Sequence, residues 1–197
     1  MPRTGRRPGP NTTRGHILDV ARRQFALAGF DATSLRAIAA ESGVDPGVVM
    51  HFFGSKNGLF QAAVGWPFDP GPFTAQIAED GPDGVAARLA RAFLAVWDEP
   101  TTRAPLLAVF RSAMTQEAAA LLLREFLVRQ IFARIAGLVD GPHADLRANL
   151  AAAHLIGVAV LRYVLRVEPI ASADIEALVA HLTPSLTGYL DNRPTPP

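Results

Sequence analysis

Residues 17–60, ILDVARRQFALAGFDATSLRAIAAESGVDPGVVMHFFGSKNGLF, decide the fold. Ile17, Val20, Ala21, Phe25 and Ala28 recur at helical spacing, and Gly29 stands where such a helix would end. The same helix starts near Asn11-Thr12-Thr13, whose side chains are of N-cap type. Thr33 and Ser34, also N-cap types, precede Leu35, Ile38 and Ala39, and Gly43 stops this second, short helix. Asp45-Pro46 then supplies a cap and a first-turn proline for a third helix. Gly54-Ser55 ends that helix and caps a fourth, which opens at Lys56.

Two short helices joined by a glycine turn make a helix-turn-helix, whose second helix lies in the DNA major groove. Val49 and Phe53 are four apart, so they share a face that can pack on Ile38 and Phe25. Val48, Met50, His51 and Phe52 cannot all join them. A row of outward apolar residues on a short helix is poorly suited to water and argues for a partner surface. Charge points the same way. Residues 1–66 hold eight bases (Arg3, Arg6, Arg7, Arg14, Arg22, Arg23, Arg36, Lys56) against four acids (Asp19, Asp31, Glu41, Asp45), so this third is +4 while the whole chain is +1. A basic head on a mildly acidic body fits a polyanion-binding module joined to a segment with another task.

Outward from this stretch the pattern stays helical. Residues 1–10, rich in Arg, Pro and Gly, read as a mobile basic arm, 11–66 as the DNA-binding head, and 67–82 (PFDPGPFTAQIAEDGP) as a linker. Helical spacing returns over 83–98, 102–115, 117–139, 145–166 and 172–190, with a kink expected at Pro184, and the tail 191–197 reads as loose. Nothing alternates in the manner of a strand, so the expected class is all-α with about nine helices, and 83–190 forms the body.

Composition narrows the chemistry. Of 197 residues, 49% are hydrophobic and 19% charged, which is globular. The absence of cysteine excludes disulfides, a thiol nucleophile and thiolate zinc sites. No HExxH, G-x-S-x-G or phosphate-cradling glycine loop occurs, and His16, His51, His143, His154 and His181 show no paired ligand spacing. An enzyme is therefore not expected, and neither is a cofactor or metal. The basic N-terminus lacks the apolar region of a secretory signal, and the uncharged run 148–161 falls short of the ~20 residues of a bilayer span. The chain reads as cytoplasmic, with no membrane partner.

The segment 11–60 resembles the N-terminal domain of the tetracycline-repressor (TetR) family of bacterial regulators. The match is composite: Phe25-Ala26, Gly29-Phe30, Thr33-Ser34, Ile38-Ala39, Gly43-Val44, Gly47, Phe53, Gly54-Ser55-Lys56 and Leu59-Phe60. Downstream, RYVLRVEPIASAD is similar to the C-terminal regions of many actinobacterial members. The resemblance implies a homodimeric regulator, usually a repressor, that binds a palindromic operator on double-stranded DNA and leaves it when a small-molecule effector fills the body. It further implies that Arg36 reaches a base or phosphate, that Thr33 and Ser34 contact the DNA backbone, and that Lys56 grips a phosphate. Pro46, Gly47, Val48, Met50, His51 and Phe52 match the recognition-helix surface. The family's common Gly-Thr-Leu-Tyr-x-His-Phe becomes Gly47-Val48-Val49-Met50-His51-Phe52-Phe53 here, so three hydrogen-bonding groups are replaced by Val, Met and Phe. Val48 suits a thymine methyl.

In the body, Phe93, Trp97, Phe110, Met114 and Phe126, with Phe132 and Tyr163, lie on helices that would surround a family-type pocket. Each is either pocket wall or ordinary core; as wall, they suit a largely apolar effector. The last two helices would form the dimer interface through Leu155, Val158, Leu161, Leu178 and Leu182, with Gly157 allowing close approach. His154 fits a ligand contact, a dimer seam or a satisfied core histidine. A reading from another class also stands: a helical carrier or enzyme for an apolar ligand, with a DNA-binding head that no longer functions.

Overall fold

The computed structural model describes residues 10–79, 81, 83–139 and 141–191. The expected arm, with Arg3, Arg6 and Arg7, and the tail beyond Asp191 lie outside the described residues. Capping chemistry fixes the first boundaries. Helix α1 (Pro10–Ala32) bends at Gly29, whose φ of 78° and ψ of 173° lie outside the range a side-chain-bearing residue adopts easily. Ser34 Oγ accepts from the Ala37 amide at 3.1 Å to open α2 (Leu35–Glu41). Asp45 Oδ1 accepts from the Gly47 amide at 2.7 Å to open α3 (Pro46–Phe53). Ser55 Oγ accepts from the Gly58 amide at 3.0 Å to open α4 (Lys56–Val64). These caps sit where the sequence predicts them.

The stretch 67–82 departs from the expected linker: it carries a helix, α5 (Pro70–Ala78). Asp69 caps it by accepting from the Gly71 amide at 2.8 Å. Pro70 and Pro72 both fall in the first turn, where the missing N–H has no helical acceptor to lose. Thr74 and Ile77 are buried beneath it. After α5 come α6 (Val85–Asp98), α7 (Pro100–Thr115), α8 (117–136), α9 (Ala144–Val164) and α10 (Ile175–Leu190). Among the described residues there are ten helices and no strand, so the class is all-α and α5 is the helix beyond the nine expected. Pro184 lies inside α10, which runs unbroken from Ile175.

The chain forms two compact units. The first joins residues 10–66 to 107–126, the second 67–106 to 127–191. In the first, Ile17, Val20, Ala21, Phe25, Ile38, Ala39, Val49, Leu59 and Phe60 are buried. Its core continues as an aromatic chain. Phe25 meets Phe60 edge-on at 4.8 Å, Phe60 meets Phe126 at 6.0 Å, and Phe126 meets Trp66 at 5.0 Å. The bend at Gly29 turns the Phe30 amide toward α8, where Glu125 Oε1 accepts from it at 2.7 Å. Gly58 matters for packing: a Cβ there would fall 2.2 Å from the Phe53 carbonyl oxygen, so only glycine lets α4 start this close to the end of α3.

In the second unit α6 and α10 pack together, with Leu89, Leu94 and Trp97 buried on one and Val179, Leu182 and Leu186 on the other. The Arg91 guanidinium donates to both oxygens of Glu176 at 2.8 and 2.6 Å, and this pairing holds the Glu176 carboxyl below the usual carboxylate range. Helices α9 and α10 are antiparallel neighbours. Arg147 Nε near the start of α9 donates to the Tyr189 carbonyl at 2.7 Å, and Arg162 Nη1 near its end donates to the Ala173 carbonyl at 2.8 Å. By length and composition α9 is long and apolar enough to cross a membrane, against the shorter run expected from its uncharged residues alone.

Candidate nucleic-acid interface

Helix α3 presents two chemically different faces. Val49 is fully buried. At about 3.6 residues per turn, the opposite side carries Gly47 and His51, flanked by Val48 and Met50. Pro46, Gly47, Met50 and His51 are exposed, Met50 at 45%, while Val48 and Phe52 are half-buried. Phe53, expected to share the buried face with Val49, is also half-buried. The Arg14 guanidinium covers its ring with Cζ 5.1 Å from the centroid. The Phe52 ring lies between His51 and Phe53, at 5.6 and 6.2 Å.

The cations around α3 divide into paired and unpaired. Arg22 bonds Asp19 at 3.2 Å, and Arg23 bonds Glu41 at 2.9 Å. Glu41 also accepts from Gln24 Nε2 at 2.6 Å, and these donors hold its carboxyl below the ordinary value, so it stays ionised opposite Arg23. Among the described residues of the head, Arg14, Arg36 and Lys56 have no carboxylate partner. They sit on α1, α2 and α4. Arg36 is exposed in the first turn of α2. Lys56 Nζ stands 4.4 Å over the Phe30 ring and donates to the Asp31 carbonyl at 3.2 Å, which leaves further ammonium donors for a phosphate. Arg14 is the residue that sequence reasoning passed over: it entered the charge count, but its place beside α3 comes from tertiary packing that no local pattern encodes.

Thr33, expected to contact the DNA backbone, is 4% exposed, and its hydroxyl donates to the Gly29 carbonyl at 2.7 Å, which closes the α1–α2 turn. Ser34 is exposed but its Oγ caps α2.

The five aromatic and methionine side chains of the expected effector wall are not brought together in one unit. Phe93 and Trp97 belong to the second unit, where Trp97 is buried and its ring stacks on Tyr163 at 5.9 Å. Phe110, Met114 and Phe126 belong to the first. Met114 is 79% exposed, and Phe126 is 1% exposed within the aromatic core. Around Tyr163 the structure adds polar groups the sequence did not single out. Arg103 and Arg162 lie over its ring at 5.4 and 5.5 Å, and its hydroxyl donates to Asp98 at 3.4 Å. Burial raises the Tyr163 phenol above its ordinary pKa. Of the expected dimer residues, Leu155, Val158 and Leu182 are buried inside the chain itself, Leu178 is half-buried, and Gly157 and Leu161 are exposed. His154 is half-buried, its ring 6.4 Å from that of Tyr189.

Comparison with known proteins identifies the family. Residues 17–63 match the family described as bacterial regulatory proteins, tetR family, and residues 83–190 match the tetracyclin repressor-like C-terminal domain. Among curated proteins, the HTH-type transcriptional regulator BetI of Burkholderia thailandensis is 28% identical over 117 residues, 59% of this chain and 58% of that protein. The alignment thus spans less than two thirds of this curated relative. Among solved structures, a TetR-family regulator from Streptomyces coelicolor A3 is 36% identical, with a TM-score of 0.46 over 95% of this chain and 99% of the other. GusR of Salmonella enterica is 26% identical, with a TM-score of 0.47 over 93% and 98%. With both its helix-turn-helix head and more than half its length matched by the family's two domains, this chain belongs to the TetR family of transcriptional regulators.

Proposed function

We propose that the protein is a cytoplasmic, ligand-responsive repressor that binds a near-palindromic DNA operator as a homodimer and releases it when a small, largely apolar effector binds the C-terminal body. No catalytic role and no cofactor belong to this reading. The observation that carries it is the exposed, carboxylate-poor face of α3 with Arg14, Arg36 and Lys56, none of them ion-paired among the described residues, on the helices around it. Pro46, Gly47, Val48, Met50, His51 and Phe52 face the groove. Ser34, Arg36, Lys56 and Arg14 hold the phosphates, and these contacts supply affinity without sequence information. Dimerisation uses the exposed apolar side of α9, and the effector meets Phe93 and Trp97.

Selection from random duplex DNA at two salt concentrations tests the reading. The expected product is a palindrome whose half-sites lie about one helical turn (roughly 10 bp) apart or somewhat more, with affinity falling steeply as salt rises. A chain that binds apolar compounds yet enriches no duplex at low salt is instead a carrier with a silent head. The three hydrogen-bonding groups missing from α3 are the observation that keeps this second reading in play.

A further inference from the structure

The outward face of α3 is poor in hydrogen-bonding groups, and this bears on what it reads. Opposite the buried Val49 lie Gly47 and His51, with half-buried Val48 on one flank and exposed Met50 on the other. Gly47 brings no side chain, and a Cβ there would come within 2.9 Å of the Asp45 carboxylate that caps the helix. That carboxylate is committed to the Gly47 amide. His51 is therefore the one hydrogen-bonding side chain among the four. The cations Arg14, Arg36 and Lys56, without an ion-pair partner among the described residues, all sit on neighbouring helices, so α3 itself adds no permanent charge to the face.

In the major groove the base pairs differ by donors, by acceptors and by one apolar feature, the methyl group on C5 of a pyrimidine. A valine and a methionine complement only the last of these. The flexible thioether of Met50 can follow a methyl through small shifts in groove position. Resting on the DNA-binding reading above, we propose that α3 specifies its site by packing Val48 and Met50 against pyrimidine 5-methyl groups, while His51 makes the face's one hydrogen bond to a base edge. Thymine and 5-methylcytosine both present that methyl. Removing one contacted methyl from water changes affinity roughly fourfold, the free energy of burying one such carbon.

The experiment replaces the methyl and nothing else. Random duplex pools are made with thymine, with uracil in place of thymine, and with 5-methylcytosine in place of cytosine, and each is offered to the full chain. Uracil keeps every hydrogen-bonding group and every phosphate of thymine. The expected result is a site from the thymine pool that binds roughly fourfold more weakly for each contacted thymine rebuilt as uracil, with non-specific binding unchanged. Met50→Ala should erase the thymine–uracil difference at one position of each half-site, and Val48→Ala at another. A site enriched only when its cytosines are methylated supports the same readout with 5-methylcytosine as the source. Equal binding of thymine and uracil duplexes, together with indifference to cytosine methylation, overturns this inference and leaves the DNA-binding reading standing. Failure to enrich any sequence from any pool overturns both.

Discussion

At Lys56 one ammonium group meets an aromatic face and a backbone carbonyl before any DNA arrives. Such a contact orients the side chain at the mouth of α4 without neutralising it, since neither neighbour carries a formal charge. Lys56→Ala should therefore weaken binding to all duplexes about equally and lower the salt slope by roughly 1, as loss of one phosphate contact does. An unchanged slope in a binding titration across salt would assign Lys56 to packing alone. Thr33 provides the contrast. Its buried hydroxyl serves the Gly29 carbonyl, so Thr33→Val should cost about 1–3 kcal/mol of stability in denaturant unfolding and leave the salt slope unchanged. The caps at Ser34, Asp45 and Ser55 were legible because an N-cap is chemistry between residues two or three apart. The burial of Thr33 and the contact of Arg14 with Phe53 were not, because each depends on how helices distant in sequence come together.

Helices were legible where a periodic apolar face met recognisable end signals, and illegible where composition misled. The prolines of α5 imitate a linker, yet Pro70 and Pro72 stand in the one turn where proline costs nothing in hydrogen bonds, behind an Asp69 cap. In α9 and α10 the apolar positions were visible but their partition was not. Leu155, Val158 and Leu182 turn inward, while Leu146, Leu150, Ala153, Gly157, Leu161 and Val164 remain exposed at spacings of three or four along α9. One-dimensional periodicity counts apolar residues and cannot say which of two faces the protein's own fold has already covered. The exposed stripe, narrowed at its middle by Ala153 and Gly157, is larger than scattered surface apolar residues require and suits a second copy of the same helix. A Cβ at Gly157 meets nothing within 4 Å in the chain, so Gly157→Arg leaves the protomer's packing intact. The variant should sediment as a folded monomer at micromolar concentration and lose most of its operator affinity, because each half-site is then bound alone. A Gly157→Arg protein that sediments as the native chain does would place the dimer contact elsewhere.

Across the whole molecule, the two units carry one tryptophan each, Trp66 against Phe126 in the first and Trp97 against Tyr163 in the second. Helices α7 and α8 each contribute residues to both units, and each carries a local irregularity of sequence or winding beside the changeover. Pro105 precedes it in α7, and the π-wound turn Leu127–Phe132 follows it in α8. An effector releases DNA only in proportion to its preference for the DNA-incompetent state, and a tenfold fall in operator affinity requires ~1.4 kcal/mol of such preference. Linkage makes the effect reciprocal: operator DNA must weaken effector binding by the same tenfold. Apolar aromatic compounds titrated against the full chain should change Trp97 emission on binding beside Phe93. In the Trp97→Phe variant, the remaining Trp66 should respond at the same ligand midpoint that displaces the operator. Adding operator should then shift that midpoint upward by the factor by which the compound lowers operator affinity. A compound that saturates the Trp97 signal while Trp66 stays silent and operator affinity holds occupies the body without driving release, and coupling between the two functions would be excluded for that ligand class.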